Sequence, residues 1–111
     1  MKEFKKKISQ LGQTESSHKG ICKYVCFTNE ECSSPITQIA FSYLKKNENV
    51  EKHSHPTLEE VFLILEGECS FVIDGNELTL TSFDVVKIPP GSTHEIHAKT
   101  DCKFYYFGVA I

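Results

Sequence analysis

The sequence predicts an all-β domain, an antiparallel sandwich or barrel, and three observations carry that prediction. Short runs rich in aromatic and β-branched residues recur, with turn signals every ~8–12 residues. The stretch Glu68–Ile73 alternates apolar and polar residues, breaks at Asp74-Gly75-Asn76 and returns through Glu77–Thr81, the pattern of a tight hairpin. No segment after Gly20 carries a helical period.

Taken in order, the chain opens on a polar extension, residues 1–20, ahead of a barrel domain, residues 21–111. In the extension Phe4, Ile8 and Leu11 fall at i, i+4 and i+7, which suits a short helix with one apolar face, or else an edge strand. Cys22–Phe27 is the first strand of the barrel. Thr28–Pro35 is a loop by its Thr, Asn, Glu, Ser and Pro content. Ile36–Lys45 is the next strand. Val61–Leu65 is a continuous apolar run, short enough for a strand buried on both faces. Val85–Ile88 stops at Pro89-Pro90-Gly91, and His94–His97 and Cys102–Ile111 close the set.

Composition narrows the function classes. A chain of 111 residues holds one core, not two. The net charge of −3 gives no footing for nucleic acid, and the basic run Lys5-Lys6-Lys7 reads as a solvated face. No apolar stretch approaches the length of a membrane span. The amino terminus has no apolar core behind its charges, so the expectation is a cytoplasmic protein without a secretory signal. The five cysteines are odd in number and lack the two-residue spacing of a zinc ribbon. They are expected as free thiols in or beside the core.

The stretch that carries chemistry is His53-Ser54-His55-Pro56-Thr57-Leu58-Glu59-Glu60. On a strand, residues i and i+2 share a face, so His53 and His55 would present two imidazoles side by side. Pro56 removes a backbone donor and ends the strand. The chain re-enters a strand near Glu60, whose carboxylate can turn back to the same place. His94 follows the rigid Pro-Pro-Gly turn and shares its face with Ile96, while His97 points to the other face and is left out. Burying these groups together in an apolar barrel without a partner would cost several kcal/mol. A metal ion removes that cost, and imidazole with carboxylate suits Zn, Fe, Ni, Mn or Co.

These residues resemble the first motif of the cupin superfamily, G-x5-H-x-H-x3–4-E-x6-G, with His53, His55, Glu60 and Gly67 in register. The second motif, G-x5-P-x-G-x2-H-x3-N, is matched by Pro89, Gly91 and His94. Three positions depart. Asn47 replaces the first glycine, and asparagine tolerates a left-handed backbone. Phe83 replaces the glycine that opens the second motif. A phenylalanine takes positive φ only at a cost, so another turn geometry is expected there. Ala98 replaces the last asparagine, which touches only a peripheral hydrogen bond.

The resemblance implies a double-stranded β-helix, a jelly-roll barrel, with a short N-terminal helix or exchanged strand and a homodimer as its partner state. It implies one divalent metal ion, Fe, Mn, Zn or Ni, held by His53, His55, Glu60 and His94 with open positions for a small polar molecule. The leading expectation is a metal-dependent enzyme of sugar or sugar-phosphate isomerase or epimerase, decarboxylase or dioxygenase type. The alternative is a non-catalytic module that binds a small molecule or metal. Tyr43, Phe62, Phe71, Tyr105 and Tyr106 are candidates to line the pocket.

Overall fold

The computed structural model describes residues 4–16, 18 and 21–111. Among the described residues ten strands carry the fold. They are β1 (Thr14–Glu15), β2 (Cys22–Thr28), β3 (Ile36–Leu44), β4 (Asn49–His53), β5 (Leu58–Glu66), β6 (Cys69–Ile73), β7 (Asn76–Leu80), β8 (Val85–Ile88), β9 (His94–Ala98) and β10 (Cys102–Ala110). Single 3-10 turns at Ile8–Gln10 and Asn29–Glu31 are the only helical elements among the described residues. The strands form a six-stranded sheet in the order β1-β2-β3-β10-β5-β8 and a four-stranded sheet in the order β4-β9-β6-β7. This is the antiparallel jelly-roll sandwich the sequence predicts.

The core lies between the two sheets, because alternate residues of each strand face inward. From the large sheet come Leu44, Ile64, Ile88 and Phe104; from the small sheet come Phe71 and Ile96. β5 alternates more than its apolar run suggests. Phe62 and Ile64 are buried, whereas Val61 and Leu63 are half-buried and Leu65 is exposed. The expected burial of both faces is therefore not reached: among the described residues no second layer covers the outer face of the large sheet.

Three turns set the frame of the site. Asp74 (φ 49°) and Gly75 (φ 82°) make a two-residue hairpin closed by the pair Ile73 and Asn76. Two positive φ values match the twist of the strands, which is why Asp-Gly suits this place. Asn47 takes φ 72°, as its substitution for glycine allows. Phe83 also takes φ 72°, which corrects the expectation of another geometry. The ring pays no packing penalty there, being 85% exposed. The turn is held by hydrogen bonds from Phe83 N to Ile64 O (2.7 Å) and from Thr81 N to Asp84 Oδ2 (2.8 Å). Gly67 (φ 93°) is required, since a Cβ there would meet the Asp101 carbonyl.

The amino-terminal reading needs a second correction. Phe4, Ile8 and Leu11 do not form an apolar helical face; only one 3-10 turn forms, none of its residues is buried, and Phe4 is 89% exposed. Three apolar residues in so polar a stretch bury too little surface to hold a helix. Instead β1 pairs with β2. Lys6 pairs with Glu31 at 3.2 Å and lies over the Phe27 ring at 5.5 Å, so the basic run is tied down at one residue. All five cysteines are free, with Cys26, Cys69 and Cys102 buried.

Candidate metal centre

The site forms where the two sheets meet at one end of the sandwich. His53 ends β4 and His94 begins β9, and the two residues are register partners in the small sheet. Glu60 belongs to β5 of the large sheet, and His55 lies in the connection between the sheets. Four side chains from three strands and a loop thus converge. Their ligand atoms all lie within 4.8 Å of one another.

His53 and His55 do not share a strand as the sequence reading expected. β4 stops at His53, after a register shift against β9 between Val50 and His53. His55 is fixed instead through its carbonyl, which accepts a hydrogen bond from Gly91 N at 2.9 Å. That bond joins the Pro-Pro-Gly turn of the second motif to the loop of the first. The imidazoles still meet, with ring centroids 4.8 Å apart. The ring of His53 lies 4.1 Å from that of His94.

Backbone carbonyls set the ring orientations. His53 Nδ1–H donates to Glu51 O at 2.7 Å, and His94 Nδ1–H donates to Ser92 O at 3.3 Å. A carbonyl oxygen only accepts, so these nitrogens carry the protons and the Nε2 atoms are left with free lone pairs. The start of β9 is clamped from the hairpin. Asp74 Oδ1 accepts from Thr93 N at 3.0 Å, and Asp74 N donates to Thr93 O at 2.9 Å.

The central observation concerns two buried atoms. His94 is 1% exposed. Its Nε2 lies 3.2 Å from Glu60 Oε1, and Glu60 Oε1 lies 3.5 Å from His55 Nε2. Neither Glu60 Oε1 nor His94 Nε2 makes a hydrogen bond among the described residues. Leaving such groups buried and unpaired costs ~1–3 kcal/mol each. The donor set fits a divalent ion: three imidazoles and a carboxylate match borderline cations. Metal bonds of ~2.0–2.2 Å place opposite ligands ~4–4.4 Å apart, close to the spread observed.

At His53 the electrostatics favour the neutral imidazole that a cation needs. Burial pushes the His53 imidazole below its ordinary range, and the neighbouring His94 adds to this against the raising effect of the Glu51 carbonyl. His97 stands outside the cluster, with Nδ1 bonded to Asn49 Oδ1 at 2.8 Å.

Above the cluster opens a cavity of about 120 Å³. Phe62 and Tyr106 line it as expected, stacked at 5.3 Å. Tyr43 and Tyr105 do not: they lie on the outer face of the large sheet, where Tyr105 packs on Phe41 at 5.4 Å. Phe71 is fully buried beneath Phe62. Burial pushes the Tyr106 phenol up to about 12, with the Glu60 charge adding to it, so it stays a donor at neutral pH. Several lining residues escaped the sequence reading. His18, from the amino-terminal extension, stands 4.5 Å from the His53 ring, and Lys23, Gln38 and Ser42 come from β2 and β3. No local motif marks them; the sheet register alone brings them in.

The sequence profile of the family described as Cupin domain matches residues 40–108. The fold, the motif positions and this match together define the class, and the chain belongs to the cupin family. No curated protein matches the chain. Among solved structures it is similar to a predicted oxalate decarboxylase from Thermotoga maritima, at TM-score 0.87 and 21% identity, covering 95% of this chain and 97% of that one. It is also similar to an RmlC-like cupin from Shewanella frigidimarina, at TM-score 0.81 and 19% identity, covering 100% and 96%. A third is the polyketide cyclase RemF from Streptomyces resistomycificus, at TM-score 0.82 and 14% identity, covering 96% and 79%. At these identities the likeness is one of fold.

Proposed function

We propose that this cupin holds one divalent metal ion on His53, His55, Glu60 and His94 and works as a metal-dependent enzyme on a small polar molecule. The observation that carries the reading is the buried pair Glu60 Oε1 and His94 Nε2, which lacks hydrogen bonds among the described residues yet faces two further imidazoles. A bound divalent ion would supply Lewis acidity, polarising an oxygen of the substrate. The chain's own residues do the rest. Val50, Phe62, Ile96 and Phe104 exclude water from the cavity walls. Tyr106 offers a protonated phenol. His18 stands at the rim with a lowered proton affinity, mainly through burial and then through His55, so it is a neutral base near neutral pH.

Isomerisation or epimerisation of a sugar or sugar phosphate, decarboxylation and dioxygenation all need an oxygen-bearing substrate held against such an ion. A non-catalytic binding module would use the same site. Elemental analysis of the purified protein tests the metal. A turnover screen with Fe(II), Mn(II), Zn(II) and Ni(II) supplied in turn then separates enzyme from binder: product formation with any of them supports the enzyme, and binding without turnover supports the module. A metal-free protein that takes up none of the four ions overturns the reading.

A further inference from the structure

The cavity has a second pole away from the histidines. Lys23 sits on the inner face of β2, paired in register with Ser42, whose side chain is buried. Lys23 is half-buried and lines the cavity. Four other lysines pair with acids, Lys6 with Glu31, Lys87 with Glu59, Lys99 with Glu68 and Lys103 with Glu66; what sets Lys23 apart is its place in the cavity wall. Among the described residues no carboxylate pairs with Lys23. Its partner is neutral: Lys23 Nζ donates to Gln38 Oε1 at 3.1 Å.

That bond also orients the amide. An ammonium group only donates, so Gln38 must turn its oxygen to Lys23, which leaves the two N–H donors of its nitrogen unengaged among the described residues. Gln38 lines the same cavity. The ammonium keeps two further protons. A cation and an amide donor therefore stand together, part-desolvated, with no anion of the protein between them. The acidic residue in the cavity wall is Glu60, and it is turned to the imidazoles, 3.2 Å from His94 Nε2. With a divalent ion in place the cavity carries a surplus of positive charge, and the wall between its poles is apolar, from Ile21, Val50, Phe62 and Phe104.

We infer that Lys23 and Gln38 form an anion receptor, so that the ligand is a small molecule with an oxygen donor for the metal at one end and a carboxylate or phosphoryl group at the other. This rests on the metal reading above. The cavity of about 120 Å³ is far below the ~300–1,000 Å³ of drug-sized sites, which confines the ligand to a short chain.

The test uses the full chain loaded with Co(II), whose visible spectrum reports both metal uptake and ligand arrival. Probes are dicarboxylates and their half-amides of equal length: malonate with malonamate, succinate with succinamate, glutarate with glutaramate. The members of a pair differ only in distal charge. A third arm, 3-phosphonopropionate, separates a phosphoryl from a carboxylate end, and the tighter of the two names the group. At least one diacid should bind roughly tenfold or more tightly than its half-amide, the weight of a charge-assisted hydrogen bond. Lys23→Met should bring the diacid down to the half-amide while Co(II) uptake and the half-amide affinity stay unchanged. Lys23→Arg should keep the preference. Equal binding within every pair overturns the inference while leaving the metal site standing, as does a Lys23→Met variant that takes up Co(II) but weakens both members alike. Absence of Co(II) uptake by the unaltered protein overturns both readings.

Discussion

At the residue scale, single side chains carry both strain and charge. Phe83 holds a left-handed backbone that costs a non-glycine residue ~1–2 kcal/mol, with its ring in solvent. Phe83→Gly should therefore stabilise the fold by about 0.5–1 kcal/mol, the strain less the extra chain entropy of glycine. Urea denaturation reads this, and a lower midpoint would refute it. Gly67→Ala should do the opposite, because its Cβ has no room beside Asp101. The histidines make stability depend on pH. His18 and His53 hold proton affinities below their ordinary 6.5, mainly through burial. As pH falls below that value the unfolded chain takes protons that the folded site refuses. The metal-free protein should keep full stability above it and lose stability as pH drops toward the lowered folded values. His53→Gln should flatten that slope; a melting temperature that does not change between roughly pH 7 and 5 would contradict the assignment. His53→Ala and His94→Ala should strip most of the metal, while His97→Ala, bonded to Asn49, should keep it. Elemental analysis decides, and equal metal in all three would refute the ligand set.

Elements position those residues. The hairpin between β6 and β7 does more than reverse the chain, since Asp74 holds Thr93 by two hydrogen bonds and so fixes where β9 begins. Asp74→Ala should cost ~1.5–3 kcal/mol, the range for a hydrogen bond to a charged acceptor, and should weaken metal affinity without touching a ligand. Metal titration with amide exchange at Thr93 and His94 checks this; faster exchange with unchanged affinity would show that the clamp serves stability alone. The hairpin was legible in the sequence because Asp-Gly between alternating residues specifies a local turn. The turn at Phe83 was not, since its cost is offset by partners brought from β5 and from Asp84. The shared face of His53 and His55 was reached by a different route from the one read. A strand period was expected, and a loop tied to Gly91 performs the same task.

At the scale of the whole molecule, one face of the large sheet lacks cover among the described residues. Val61, Leu63, Phe41, Tyr105 and Phe107 are half-buried there and Leu65 is exposed. Large exposed apolar patches are a feature of protein–protein interfaces. We propose a second copy of the chain as its partner, so light scattering at micromolar concentration should give a dimer. Phe41→Lys should yield a monomer of lower melting temperature; a monomeric unaltered protein would exclude the dimer. No helix among the described residues is long and apolar enough to cross a membrane.

By itself the sequence determined the strand pattern, the hairpin at Asp74-Gly75 and the identity of the four candidate ligands, because each is written in local spacing or turn chemistry, while Gly67 entered through its place in the motif the chain resembles. Only the tertiary structure decided that Glu60 Oε1 and His94 Nε2 are buried with no hydrogen bond among the described residues, that His18, Lys23 and Gln38 reach the same cavity, and that Tyr43 and Tyr105 turn away from it. Those facts depend on sheet order and strand register. Residues from β2, β3, β5 and β9 become neighbours only when the two sheets close on one another.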